Sequence, residues 1–157
     1  MSVAPPAWRR AVAADLPALA ALYAHSARTL GPQVYTPAQV QAWQRFGRLS
    51  PAFEAYVLQA DTWLAEDADG PLGFCGIDAQ GEVRSLYVRA GHTRQGLGSL
   101  LLGHALAQAR ASGLQHFEAW ATPFSLPVFG RAGFERVRTV VEKFEGVAFE
   151  RYRVATP

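Results

Sequence analysis

The chain has 157 residues, half of them hydrophobic and 18% charged, which suits one folded domain spanning 1–157 and excludes a disordered chain. Its net charge of +2 comes from 15 Lys+Arg against 13 Asp+Glu, with no basic stripe beside aromatics, so nucleic acid is excluded as a partner. All the basic residues are arginine except Lys143, and arginine grips carboxylates and phosphates in a planar fork.

The N-terminal stretch has no apolar signal-like core, and no apolar run is long enough to span a bilayer. A cytoplasmic protein without a membrane partner is expected. "AWRRAV" (7–12) reads as a first strand. Asp15 is placed to cap a helix that carries Pro17 in its first turn and Leu16, Leu19, Tyr23 and Leu30 on one face. Thr36, Pro37 and Gln39 form a capping box that opens a second helix, with Val40 and Trp43 sharing a face. Residues 48–57 fit no single pattern. Strands follow at 61–67 and 70–80, joined through "DADG", and at 81–88 after the Gln80-Gly81 turn. Cys75 falls in the apolar run "GFCGI", where a buried structural thiol is expected, and a single cysteine excludes an internal disulfide.

A helix from Gly96 to Ser112 stops at Gly113. A strand at 114–121, a short helix near 125–133 and a hairpin turning at Glu145-Gly146 complete the chain. The order predicts an α/β fold: a mixed sheet, largely antiparallel, with one strand–helix–strand crossover.

The informative stretch is "SLYVRAGHTRQGLGSLLL", which runs from a strand across a polar loop into a glycine-started helix. The N–H groups at a helix start bind anions, and glycine lets a phosphate approach the backbone. No lysine followed by Ser or Thr comes after the second glycine, so this is no Walker loop. Leu101 stands where a dinucleotide fingerprint needs its third glycine. A pyrophosphate cradle built by "RQGLGS" is left.

This stretch resembles the acetyl-CoA signature Q/R-x-x-G-x-G/A of the GNAT N-acetyltransferases. Gly96 and Gly98 match, and Thr93 departs from the first position. "ATPFSLPVFGRAGFE" (121–135) resembles the family's second signature, and "DLPALAALYAHSARTLGPQVYTPAQVQAW" looks like its bacterial YafP-type branch. The resemblance implies helices flanking the sheet and a V-shaped splay between the fourth and fifth strands. It implies acetyl-CoA as cofactor, its pyrophosphate held by the main chain of Thr93, Arg94, Gln95, Gly96, Leu97, Gly98 and Ser99. The main chain of Leu86, Tyr87 and Val88 would pair with the pantetheine arm. It implies acetyl transfer to a primary amine by direct attack in a ternary complex, with a small-molecule acceptor ahead of a peptide, and a homodimer as an option at the C-terminal hairpin. A non-catalytic acyl-CoA sensor is the competing class.

The same resemblance assigns candidate roles. Val88 matches the N–H that polarises the thioester carbonyl. Glu82 matches the base, acting through water, and is equally readable as a solvated residue after a turn. The family's usual tyrosine acid is Phe129 here and a common asparagine is Phe124, both placed by the cofactor. Tyr87 points away from Leu86 and Val88 and is read as packing. Tyr35, in the loop before the second helix, is the outside candidate for the acid and for the acceptor pocket, against a role as a loop aromatic covering the core. Trp43, Trp120 and His25 are candidate acceptor-site walls, with core packing or an ordinary helix histidine as the alternatives. Arg94 is placed near the phosphates, while Arg89 and His92 are read as exposed. The histidines have no metal-ligand spacing, so no metal is assigned.

Overall fold

A computed structural model of the chain describes residues 6–91 and 96–157. The strands are β1 (Ala7–Arg10), β2 (Asp61–Asp67), β3 (Gly70–Ile77), β4 (Glu82–Val88), β5 (Glu118–Ala121), β6 (Glu135–Phe144) and β7 (Val147–Ala155). The helices are α1 (Leu16–Leu30), α2 (Pro37–Arg45), α3 (Pro51–Leu58), α4 (Leu97–Ala111) and α5 (Leu126–Arg131). The strands form one sheet in the order β1-β2-β3-β4-β5-β7-β6. Every pairing is antiparallel except β4 with β5, which are joined through α4.

A core lies on each face of the sheet. Leu101, Leu102 and Leu106 of α4 pack with Phe117, Phe129 and Phe134 on one side. Leu19 and Tyr23 of α1 pack with Phe53 and Val57 of α3 and with Leu64 and Phe74 on the other. β3 feeds both: Phe74 joins one core and Cys75 the other, because successive strand residues point to opposite faces. Cys75 is buried, and burial raises its thiol pKa.

Local chemistry sets most boundaries. At α2, Thr36 Oγ1 accepts the Gln39 N–H and Gln39 Oε1 accepts the Thr36 N–H, so the capping box forms in full. The 48–57 segment resolves as a helix because the Ser50 hydroxyl accepts the Phe53 N–H and Pro51 occupies the first position. Glu145 and Gly146, with φ of 54° and 75°, give the hairpin the left-handed pair its tight turn requires.

Two expectations are corrected. Asp15 does not cap α1 with its side chain; its carboxylate accepts the Val12 N–H and pairs with Arg9, which fixes the 3-10 turn at Ala13–Asp15. The fifth strand is only Glu118–Ala121, since Phe117 instead exchanges hydrogen bonds with Thr156 near the C-terminus. Among the described residues, no helix is long and apolar enough to cross a membrane, and no three His, Cys, Asp or Glu side chains gather as a metal site.

Candidate functional site

β4 and β5 pair only at Glu82 with Glu118 and Val83 with Ala119, then separate. The gap is a slot of about 380 Å³ lined by Leu86 and Val88 of β4, Trp120 and Thr122 around β5, Gly98 of α4, and Phe124 and Phe129.

The polar groups facing the slot follow from strand pairing. Antiparallel partners alternate between pairs that exchange hydrogen bonds and pairs that face away. Arg89 N–H donates to the Leu72 carbonyl at 2.7 Å, so Tyr87, two residues back, also turns its main chain to β3, opposite Phe74. Leu86 and Val88 therefore point their N–H and C=O away from β3 and into the splay. The Ser26 hydroxyl of α1 donates to the Val88 carbonyl at 2.9 Å from that side. Of the three residues expected to pair through their main chain, Leu86 has both its N–H and its C=O free for the purpose and Val88 its N–H, since the Val88 carbonyl accepts from Ser26. The main chain of Tyr87 is committed to the sheet.

The slot ends on α4. Gly96 has φ of 75° and precedes the helix, a left-handed position that glycine adopts without strain. Gly98 has no such backbone need. A Cβ there would meet only Val128 and Val88 methyls at 3.7 Å, an ordinary contact, so neither fold nor packing demands glycine. The missing side chain leaves free space at the helix start, as the close approach of an anion requires. Leu97 buries its side chain in the core, and the Ser99 hydroxyl accepts from Arg131 at 3.4 Å. The candidates Thr93, Arg94 and Gln95, with His92, lie outside the described residues. Ser85 also lines the slot, and its buried hydroxyl has no hydrogen-bond partner among the described residues. These features fit an extended ligand with amide groups and a terminal pyrophosphate.

A second cavity of about 530 Å³ opens on the α1–α3 side of the sheet. Tyr56, Tyr87, Trp43, Trp120 and Thr122 border both cavities, so the two meet there. Trp43 Nε1 donates to the Tyr87 hydroxyl at 3.2 Å. Burial raises the pKa of Tyr87, opposed by the hydrogen bond from Trp43, and burial likewise raises those of Tyr23 and Tyr56. Tyr87, read from sequence as packing, thus lies at the junction. Tyr35 borders the second cavity and not the slot, packs edge-on against Trp43, Phe124 and Phe149, and is pushed up to about 12 by burial. Its position is that of a wall. Trp43 is also a wall, stacked on Phe124. Phe129 is buried against Phe134, without any hydroxyl to offer.

Glu82 borders the second cavity with both carboxylate oxygens bound by Arg153, at 2.7 and 2.8 Å. It is neither a lone solvated carboxylate nor a free one. His25 is a correction: it is exposed on α1, beside Arg28, and lines neither cavity. Its neighbour Ser26 lines the slot instead, because one helical residue turns the side chain by about 100°. The sequence carried that signal, since Ser26 continues the Leu19–Tyr23 stripe as a polar residue on an apolar face. Tyr56, Arg151 and Arg153 were also missed. The two arginines share a strand face with Phe149 by simple alternation.

Comparison with known proteins completes the description. The family model described as Acetyltransferase (GNAT) domain matches residues 32–156. Among solved structures, a GCN5-related N-acetyltransferase from Rhodopseudomonas palustris superposes with a TM-score of 0.91 at 20% identity, covering 99% of this chain and 98% of that one. PaiA N-acetyltransferase from Thermoplasma acidophilum, solved with coenzyme A, gives 0.69 at 16% identity and 99% coverage of both chains. YncA from Salmonella typhimurium, solved with acetyl-CoA, gives 0.64 at 18% identity, covering 96% of this chain and 92% of that one.

Proposed function

This chain belongs to the GNAT acetyltransferase family, and we propose that it transfers the acetyl group of acetyl-CoA to the primary amine of a small molecule by direct attack in a ternary complex. The observation that carries this reading is the meeting of two cavities at Tyr87 and Trp120. One is a slot with free β-strand amides and a glycine-started helix, and the other is an aromatic-walled chamber. A chamber of about 530 Å³ suits a small acceptor better than a peptide.

Bound acetyl-CoA supplies the activated thioester. The main chain of Leu86, with the Val88 N–H beyond it, would hold the pantetheine arm and its thioester as an added strand would, and the main chain at Gly96, Leu97, Gly98 and Ser99 would receive the pyrophosphate. Thr93, Arg94 and Gln95 belong to the same proposed cradle. The Val88 N–H would donate to the thioester carbonyl oxygen and stabilise negative charge there. Glu82 keeps one lone pair on each oxygen beyond those that Arg153 uses, and takes the amine proton through a water. Tyr87 accepts from Trp43 and keeps its own hydrogen, which it would give to the leaving thiolate, the role that Phe129 cannot fill. Phe124, Trp43, Tyr35 and Trp120 wall the acceptor. A cytoplasmic setting and a homodimer belong to the same reading. The lone buried thiol of Cys75 and the exposed Val137 and Val141 of β6 are compatible with them.

Release of free thiol from acetyl-CoA on adding a panel of small amines tests the activity. Amine-dependent release is expected. Binding of acetyl-CoA with no release for any amine or peptide would replace the enzyme by an acyl-CoA-binding module.

A further inference from the structure

The acceptor chamber is walled by rings, and its charges are committed to one another. Among the described residues, nine of the sixteen that border the second cavity are aromatic, against 11% of the whole chain, and Val83 is the one aliphatic. A wall of rings offers faces and edges to another ring, which aliphatic side chains do not. Tyr35 stands edge-on to Trp43 at 5.6 Å and to Phe149 at 5.4 Å, and Phe46 edge-on to Phe144 at 6.3 Å. Phe144 is 40% exposed at the hairpin end of the chamber, where an apolar ligand group would cover it.

The charged residues on the border are Glu82, Arg84, Glu142, Lys143 and Arg151. Arg153 holds Glu82, Asp78 holds Arg84, and Glu142 holds Arg151. Lys143 stands opposite Ala148, and alternation turns it to the face of Val141 and Glu150, away from Glu142 and Phe149. Every bordering cation that faces the chamber thus has its carboxylate. A second charge on the acceptor would give up its hydration for ion pairs that are already neutral.

The two kinds of wall are graded along one strand face. Arg153, Arg151 and Phe149 follow at every second residue of β7, from the clamp on Glu82 toward the hairpin turn. Trp43, Tyr87 and Trp120 border both cavities, while Phe46, Phe144 and Phe149 border the chamber alone. The place of the amine is therefore at the junction with the slot, and the group that carries it lies among the rings beyond.

We infer that the acceptor is an uncharged aromatic body bearing one primary amine, with its ring among Tyr35, Phe46, Phe144 and Phe149 and the amine as its only charge. The inference rests on the acetyltransferase reading for the amine, and on the chamber walls for the body. Amino acids bring a carboxylate and polyamines a further ammonium, and the chamber has no unpaired group facing either.

The test compares three amines by calorimetric titration, with and without coenzyme A, so that it does not depend on turnover. 2-(4-Methylphenyl)ethylamine differs from 4-(2-aminoethyl)benzoate only in methyl against carboxylate, and from 2-(4-methylcyclohexyl)ethylamine only in the saturation of its ring. It should bind about tenfold tighter than the carboxylated amine, as the burial of an unpaired charge predicts. It should bind about fivefold tighter than the saturated one, as ring-on-ring contact predicts. Glu142→Gln leaves Arg151 without its carboxylate, and should bring the methyl and carboxylate amines to within about threefold of each other. Equal or tighter binding of the carboxylated amine to the unmodified protein, equal or tighter binding of the saturated amine, no binding of any of the three at millimolar concentration, or a carboxylate penalty unmoved by Glu142→Gln would each overturn the inference. Failure of coenzyme A and acetyl-CoA to bind the unmodified protein, measured separately, would instead overturn the acetyltransferase reading.

Discussion

Arg153 of β7 clamps Glu82 of β4 with two parallel hydrogen bonds, at 2.7 and 2.8 Å, and reaches Glu118 of β5 at 2.7 Å. One guanidinium thus ties three strands together at the first of the two positions where β4 and β5 pair before they part. The fork geometry of arginine suits this tie, and a lysine would lose it.

Breaking the clamp should be felt in stability. Arg153→Gln leaves two carboxylates facing each other without their cation. The pair is half-buried, so the cost falls between exposed and buried ion pairs, about 1–2 kcal/mol by urea unfolding. Glu82→Gln should in addition slow turnover most near pH 6, with the deficit narrowing as pH rises and the amine loses its proton unaided. A deficit independent of pH would leave Glu82 with the structural role alone.

Gly98 separates folding from binding. A Cβ at this helical position meets only methyl groups at 3.7 Å, and alanine favours helix over glycine. Gly98→Ala should therefore keep or raise stability, by up to about 1 kcal/mol. It should also weaken acetyl-CoA binding severalfold, and Gly98→Glu should abolish it. Calorimetric titration beside a melting curve reads both. A destabilised but normally binding alanine variant would contradict the account.

Tyr87→Phe tests the proposed acid. Loss of general acid catalysis lowers kcat by about 100-fold. The acetyl-CoA Kd should hold, and the deficit should shrink with an acetyl thioester whose thiol leaves more easily. The variant also strands the Trp43 N–H, at about 1 kcal/mol of stability. Equal deficits with good and poor leaving groups would reduce Tyr87 to a packing residue.

Asp15 carries a pH dependence away from the site. Hydrogen bonds from Arg9 hold its carboxyl below the usual range despite partial burial. A lowered folded-state pKa stabilises the protein above the unfolded-state pKa, and that stabilisation is lost as pH falls through the folded one. Asp15→Asn should cost about 1 kcal/mol at pH 7 and almost nothing once the pH lies below both values. Unfolding curves across that range check it.

What the sequence made legible was chemistry confined to a few neighbouring residues. Thr36 and Gln39 cap each other, Glu145-Gly146 turns the hairpin, and Gly96 opens α4, each within a handful of positions. What it hid depends on register and rotation. Whether His25 or Ser26 faces the slot is decided by one helical step. Glu82 meets Arg153 across 71 positions, through pairings no local pattern reveals. Tyr87 was judged by the direction of its side chain, which was right. Yet the face it points to holds the second cavity, which the packing of α1, α2 and α3 together with the β6–β7 hairpin creates.

The central claim is that the β4–β5 slot holds acetyl-CoA. Thermal melting with acetyl-CoA, 3′-dephospho-CoA and NADH tests it most directly. A ligand binding only the native state stabilises it by about 2.7 kcal/mol at a hundredfold excess over Kd. The account predicts a raised melting temperature with acetyl-CoA, the same direction with 3′-dephospho-CoA, and no change with NADH. No shift with acetyl-CoA at millimolar concentration, or an equal shift with NADH, would contradict it.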